Sequence, residues 1–168
     1  MALPQLNTSI YELELPSTGE TVKYRPFLVK EQKLLMIAQE SGEDKQIEQA
    51  FAKIIKECTF GEIDPYKIPL FDIEFIFLRI RGKSVGDTVE LNVLCPDDEE
   101  TTVPVKIELD KISILMKEEH TNEVSLTDDI SLVMKYPTLS NMTGFNNQGE
   151  ALSIFDMVKN CIDEIHSG

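Results

Sequence analysis

The chain has 168 residues but no tryptophan, two histidines, three cysteines, and only 16 Lys and Arg to set against 30 Asp and Glu. Each shortage excludes something. Few basic residues leave a net charge of −14, which argues against nucleic-acid binding, because neutralising phosphates takes clustered Lys and Arg. The same acidic surplus keeps a surface soluble and draws basic partners toward it, and either reason accounts for it. Cys58, Cys95 and Cys161 are odd in number and far apart, the pattern of free thiols in a reducing compartment. No window approaches the roughly 20 apolar residues of a membrane span, so no membrane insertion is expected. The opening MALPQLNTSIYELEL has neither a basic start nor an apolar run. No signal peptide is expected, and the cytosol is the expected compartment.

The side chains that carry chemistry are as sparse. His120 lies in an acidic stretch and His166 near the last residue, neither beside a nucleophile in sequence. Cys95-Pro96 resembles half a zinc knuckle, but the positions where a second Cys would stand are Asp97, Asp98 and Glu99. Asp97 to Glu100 lacks the alternating ligands and glycine turn of a calcium loop. GKSVG at 82–86 lacks the glycine-rich span that precedes a phosphate-binding lysine. No metal, cofactor or small-molecule substrate is expected. An enzyme reading survives only as a carboxylate hydrolase using Asp72 and Glu74, which requires a cleft that brings the two together.

What is present is patterned for packing. Tyr11, Leu13 and Leu15 alternate with Glu12 and Glu14, and after Ser-Thr-Gly-Glu, Val22 and Tyr24 alternate with Lys23 and Arg25. A hairpin centred on 17–20 would set Leu15 against Val22, Leu13 against Tyr24, Glu14 against Lys23 and Glu12 against Arg25. Residues 29–41 predict a helix closed by Gly42. Ile47, Ala50, Phe51, Ile54 and Ile55 predict an amphipathic helix opened by Asp44. The run 70–81 fits a helical and an extended period alike; a buried helix capped near Asp72 and stopped by Gly82 is the better reading. A second hairpin pairs Val89 with Ile107, Leu91 with Val105 and Val93 with Val103 around the acidic tip 96–101. Residues 117–129 predict a mobile acidic linker, and 130–136 a half-buried strand. Ala151, Ile154, Phe155, Val158, Cys161, Ile162 and Ile165 predict one helix over 150–165, led in by a flexible NMTGFNNQG. That stripe packs on its own domain or docks on another chain.

ELPSTGETVKYRPF, LVKEQKLLMIAQES and FDIEFIFLRIRGKSVG together resemble the baseplate hub assembly protein family of T-even-type contractile-tailed bacteriophages, closely over the first hundred residues and more loosely beyond. The resemblance implies a small non-enzymatic protein of tail morphogenesis, a hub component or assembly chaperone, acting on other phage baseplate and tail proteins. It implies the host bacterial cytoplasm, with the virion baseplate as the alternative for a permanent subunit. It also implies that members continue beyond the final helix. The expected fold is α+β: an N-terminal β-hairpin, two or three helices, antiparallel strands and a C-terminal amphipathic helix. The expected division is an α+β domain over 1–145 and the helix over 146–168. Candidate partner contacts are Arg25, Phe27, Arg79, Lys83, Phe155, Val158 and Ile162, although Arg25 and the Arg79–Gly86 turn also have structural reasons to be there.

Overall fold

Alternation near the start of the chain does produce a hairpin, in a register different from the expected one. The computed structural model describes residues 8–98, 100–117, 119–141 and 150–167. In it, strand β1 (Tyr11–Glu14) pairs antiparallel with β2 (Thr21–Tyr24). Tyr11 lies opposite Tyr24, Glu12 opposite Lys23 and Leu13 opposite Val22. The expected Glu12–Arg25, Leu13–Tyr24 and Glu14–Lys23 pairs therefore do not form. The turn is the cause. The Leu15 N–H donates to the Glu20 carbonyl at 2.9 Å, and Gly19 adopts φ +72°, a left-handed conformation that glycine takes at no steric cost. The slip is even, so every side chain keeps its face. Leu13, Leu15, Val22 and Tyr24 are all buried.

Helix α1 (Val29–Ser41) ends as expected at Gly42, whose left-handed φ of +65° lets its N–H bond the Gln39 carbonyl. Helix α2 (Asp44–Cys58) turns Ala50, Ile54, Ile55 and Cys58 inward. The ambiguous run is a helix, α3, but it spans Leu70–Val85. Gly82 lies buried inside it and Gly86 ends it, so the expected stop came too early. Asp72 is not the cap either. It sits in the first turn with no exposed surface and accepts hydrogen bonds from the Ser17 N–H, at 3.1 Å, and the Ser17 hydroxyl. That contact pins the first hairpin's turn to α3. Ile73, Ile76 and Ile80 recur along one side of α3 and meet Ile54 and Ile55; all five have zero exposure. Burying each stabilises the fold by roughly 1.5–3 kcal/mol.

The second hairpin has the expected register. β3 (Thr88–Leu94) pairs with β4 (Thr102–Glu108), setting Val89 against Ile107, Leu91 against Val105 and Val93 against Val103. The expected mobile linker instead contains β5 (Glu123–Thr127), paired with β6 (Ile130–Met134). Val124 and Leu126 alternate with Ser125 and Thr127, an extended pattern hidden by the surrounding acids. The final helix also departs from expectation. α4 covers Glu150–Asn160, and Ile162–Ser167 form β7 on the far edge of β6. Ile162 and Ile165 suit either period, and the open edge of β6 decides: Lys135 N–H takes the Cys161 carbonyl at 2.7 Å and the strand continues from there. The sheet order is β5-β6-β7. Leu139 returns to the core, and the Leu70 N–H bonds the Pro137 carbonyl at 2.8 Å, tying this sheet to the start of α3. Of the expected flexible lead-in, 141–149, residues 142–149 lie outside the described residues.

Candidate interaction surface

Four of the candidate contact residues lie beside the first hairpin and α3, each engaged within the chain. Arg25 is buried; its guanidinium bonds Glu31 at 2.9 Å and the Pro26 carbonyl at 3.0 Å. Phe27 packs against the core, and its N–H donates to the Ser84 hydroxyl at 2.9 Å. Arg79 donates to the carbonyls of Leu109 (3.0 Å) and Ile112 (2.9 Å), pairs with Asp110, and lies 4.6 Å from the centre of the Phe75 ring. Lys83 reaches the same Asp110 at 3.4 Å. The other three lie at the C-terminal end. Phe155 and Val158 are exposed on α4, and Ile162 is half-buried at the start of β7.

Arg79 and Lys83 hold the base of the second hairpin. Leu109 is buried at that base, and its N–H donates to the Asp87 carbonyl at 2.7 Å. The tip is closed as firmly. Asp98 accepts from the Thr101 hydroxyl and from the N–H groups of Thr101 (3.0 Å) and Glu100 (3.1 Å). Those bonds, the Thr101 hydroxyl's first, hold its carboxyl below the usual range. Between base and tip the hairpin is ordered yet uncovered. Val89, Leu91, Val93, Val103, Val105 and Ile107 share one face, since directly opposed residues point the same way. Leu91, Val93, Val103 and Val105 are all exposed. Alternation reads as one buried face, but it does not say what buries it. The sequence points to the edges of the two hairpins as places another protein's strand could extend, but not to this bare face. The available signal was Pro104, because proline inside a strand marks an edge.

A second apolar face lies on the C-terminal sheet. Val124, Leu132 and Ile165 form one row across β5, β6 and β7, and Val124, Ile130 and Ile165 are exposed. Ile154, Phe155 and Val158 add an exposed stripe on the neighbouring α4. A large apolar face left in water is the usual mark of a protein contact.

The groups capable of catalysis are placed otherwise. Asp72 is held by Ser17 inside the protein, while Glu74, two positions along the same helix, is exposed. The two carboxylates do not share a cleft. Burial pushes the Cys58 thiol up to about 11, so it is protonated at neutral pH. His120 bonds the Tyr136 hydroxyl at 2.8 Å, and Tyr136 meets Phe71 edge-on at 4.9 Å. Among the described residues no group of three or more His, Cys, Asp or Glu could hold a metal ion, and no helix is long and apolar enough to cross a membrane.

No curated protein and no solved structure matches the chain. Its match is to a family described as T4 bacteriophage base plate protein, and it runs over residues 8–168. That span takes in the core, the uncovered hairpin and the C-terminal sheet alike, and the chain belongs to the T4-type phage baseplate protein family.

Proposed function

We propose that this chain is a non-enzymatic assembly protein of the phage baseplate hub, working by protein–protein contact in the cytoplasm of the infected host. One observation carries the reading: ordered elements leave apolar faces without cover. Leu91, Val93, Val103 and Val105 on the second hairpin, and Val124, Ile130, Ile154, Phe155, Val158 and Ile165 toward the C-terminus, are ordered yet exposed, and contiguous apolar surface of that kind marks a protein contact. Phe155, Val158 and Ile162 belong to that surface. Arg79 and Lys83 serve it by holding the base of the second hairpin, while Arg25 and Phe27 brace the core beside it through Glu31, the Pro26 carbonyl and Ser84. The non-enzymatic part of the reading rests on the occupied Asp72, the protonated Cys58 and the separation of Asp72 from Glu74.

The test is the fate of the chain during infection. Phage carrying a stop codon in this reading frame should accumulate incomplete hubs. Quantitative mass spectrometry of purified wild-type particles should find the chain absent or far below one copy per hub. A fixed copy number in finished particles overturns the assembly reading in favour of a permanent subunit. Normal baseplates from the mutant phage overturn both.

A further inference from the structure

We propose that the outer edge of β3 (Thr88–Leu94) accepts a strand from a partner protein, apolar at alternate positions and carrying lysine or arginine between them. The proposal rests on the contact-by-assembly reading and adds the kind of partner and its mode of docking.

Among the described strands β3 offers the longest uninterrupted open edge. β1 and β2 have four residues each. β6 is paired on both sides, and β5 and β7 pair with it through irregular registers, at 125–127 on β5 and opposite 133–134 on β7. Short strands and bulges blunt an edge. β3 and β4 have seven residues each and pair without a break. The bonds at either end of this hairpin, Cys95 N–H to the Thr101 carbonyl and Leu109 N–H to the Asp87 carbonyl, place the odd-numbered residues of β3 in the hydrogen-bonded pairs. Thr88, Glu90, Asn92 and Leu94 therefore turn their N–H and C=O groups outward. On β4 the outward set includes Pro104, opposite Asn92, which has no N–H to offer. The edge of β4 is interrupted at its centre and that of β3 is not.

The side chains specify what would fit. A strand added to β3 would extend the face of Val89, Leu91 and Val93 with its own apolar residues. Its intervening residues would lie alongside Glu90, which meets Lys106 across the hairpin at 3.2 Å with both side chains largely exposed to solvent. Residues 87–110 hold eight acidic residues and one lysine, which is half of the net charge of −14. Asp97, Asp98 and Glu100 at the tip are exposed. A second copy of this chain would set two such hairpins against each other and be repelled; a basic strand would be attracted. The clamped base and knitted tip hold the edge ready, so little ordering is lost on docking.

The probe is a short synthetic peptide alternating valine with lysine, compared with one alternating valine with glutamate, both added to the full chain at low salt. Amide hydrogen exchange read by NMR should show new protection at Thr88, Glu90, Asn92 and Leu94 with the lysine peptide. The glutamate peptide should bind at least tenfold more weakly. Asn92→Pro removes an outward N–H that the hairpin does not use, and should weaken binding at least tenfold. Glu90→Gln, which removes the charge without setting a second lysine opposite Lys106, should weaken the lysine peptide several-fold and so tests the proposal even where the proline variant disturbs the hairpin. Protection on β4, on β5–β7 or on α4 overturns the proposal. So does the absence of binding, or a β3-to-β3 dimer of the free chain. None of these results alters the copy-number test of the hub reading, so the two can fail separately.

Discussion

Glu31 is a carboxylate with 2% of its side chain exposed, tolerated because three donors surround it. Burial pushes its carboxyl up, but hydrogen bonds from Arg25, the Leu28 N–H and Lys30 outweigh burial and hold it at about 2. A carboxyl depressed in the folded state stabilises above its unfolded pKa, near 4.3, and loses that contribution as pH falls through the folded value. Urea unfolding at stepped pH should therefore show a fall of about 3 kcal/mol between roughly pH 5 and 2 from this group. Glu31→Gln should remove that portion of the slope and lower stability at pH 7 by about 3 kcal/mol, since Arg25 stays buried without its counter-charge. An unchanged slope in the variant would sink the assignment. Two glycines divide in the opposite way. Gly82 is inside α3, and a Cβ there would meet its nearest atoms at 3.8 and 3.9 Å, ordinary contact. Gly82→Ala should stabilise by up to ~1 kcal/mol, the helix-propensity difference. Gly86, at φ +135° and ψ 148°, occupies a region open essentially to glycine alone. Gly86→Ala should destabilise by about 1–3 kcal/mol. Thermal melts of the pair check the sign at each position.

The elements differ in what holds them, and substitution should expose the difference. Ile76 has zero exposure between α3 and its neighbours, so Ile76→Ala should lower stability by about 2–5 kcal/mol. Leu91 and Val105 oppose each other on the uncovered hairpin face, where polar replacement removes little buried area. Leu91→Ser with Val105→Ser should change stability by less than about 1 kcal/mol. A loss as large as that of Ile76→Ala would mean the face is covered after all. The same contrast explains which elements were legible in the sequence. The register of β3–β4 was readable because both strands are long and alternate without a break, with the turn confined to a polar tip. β1–β2 was misread by two residues because Pro16 to Gly19 offers several turns, and only the left-handed Gly19 selects among them. β7 was taken for helix because Ile162 and Ile165 satisfy both periods, and the open edge of β6 that decides between them belongs to another part of the chain. The contact surface was legible only in part. Phe155 and Val158 show in a helical stripe, whereas the bare face of β3–β4 has the sequence signature of a buried one.

At the scale of the whole molecule, cohesion is uneven. The fully buried isoleucines, 54, 55, 73, 76 and 80, all lie on α2 and α3, under the first hairpin. The second hairpin is tied in at one end, through Leu109 and the Arg79 and Lys83 contacts with Asp110. The C-terminal sheet joins through Leu70, Phe71, Tyr136 and Leu139. Regions with few buried apolar contacts open locally, at free energies below that of global unfolding. Amides of α2 and α3 should therefore exchange only as the whole protein unfolds. Those in the hydrogen-bonded pairs of β3–β4 should exchange at least about tenfold faster, a difference of ~1.4 kcal/mol or more. Exchange monitored by mass spectrometry on the free chain resolves the two classes. A docked partner should raise the hairpin toward the core class, because binding to the folded form alone stabilises whatever it touches. Uniform protection across all segments of the free chain would contradict this division, and with it the idea that the outlying sheets wait for a neighbour to complete them.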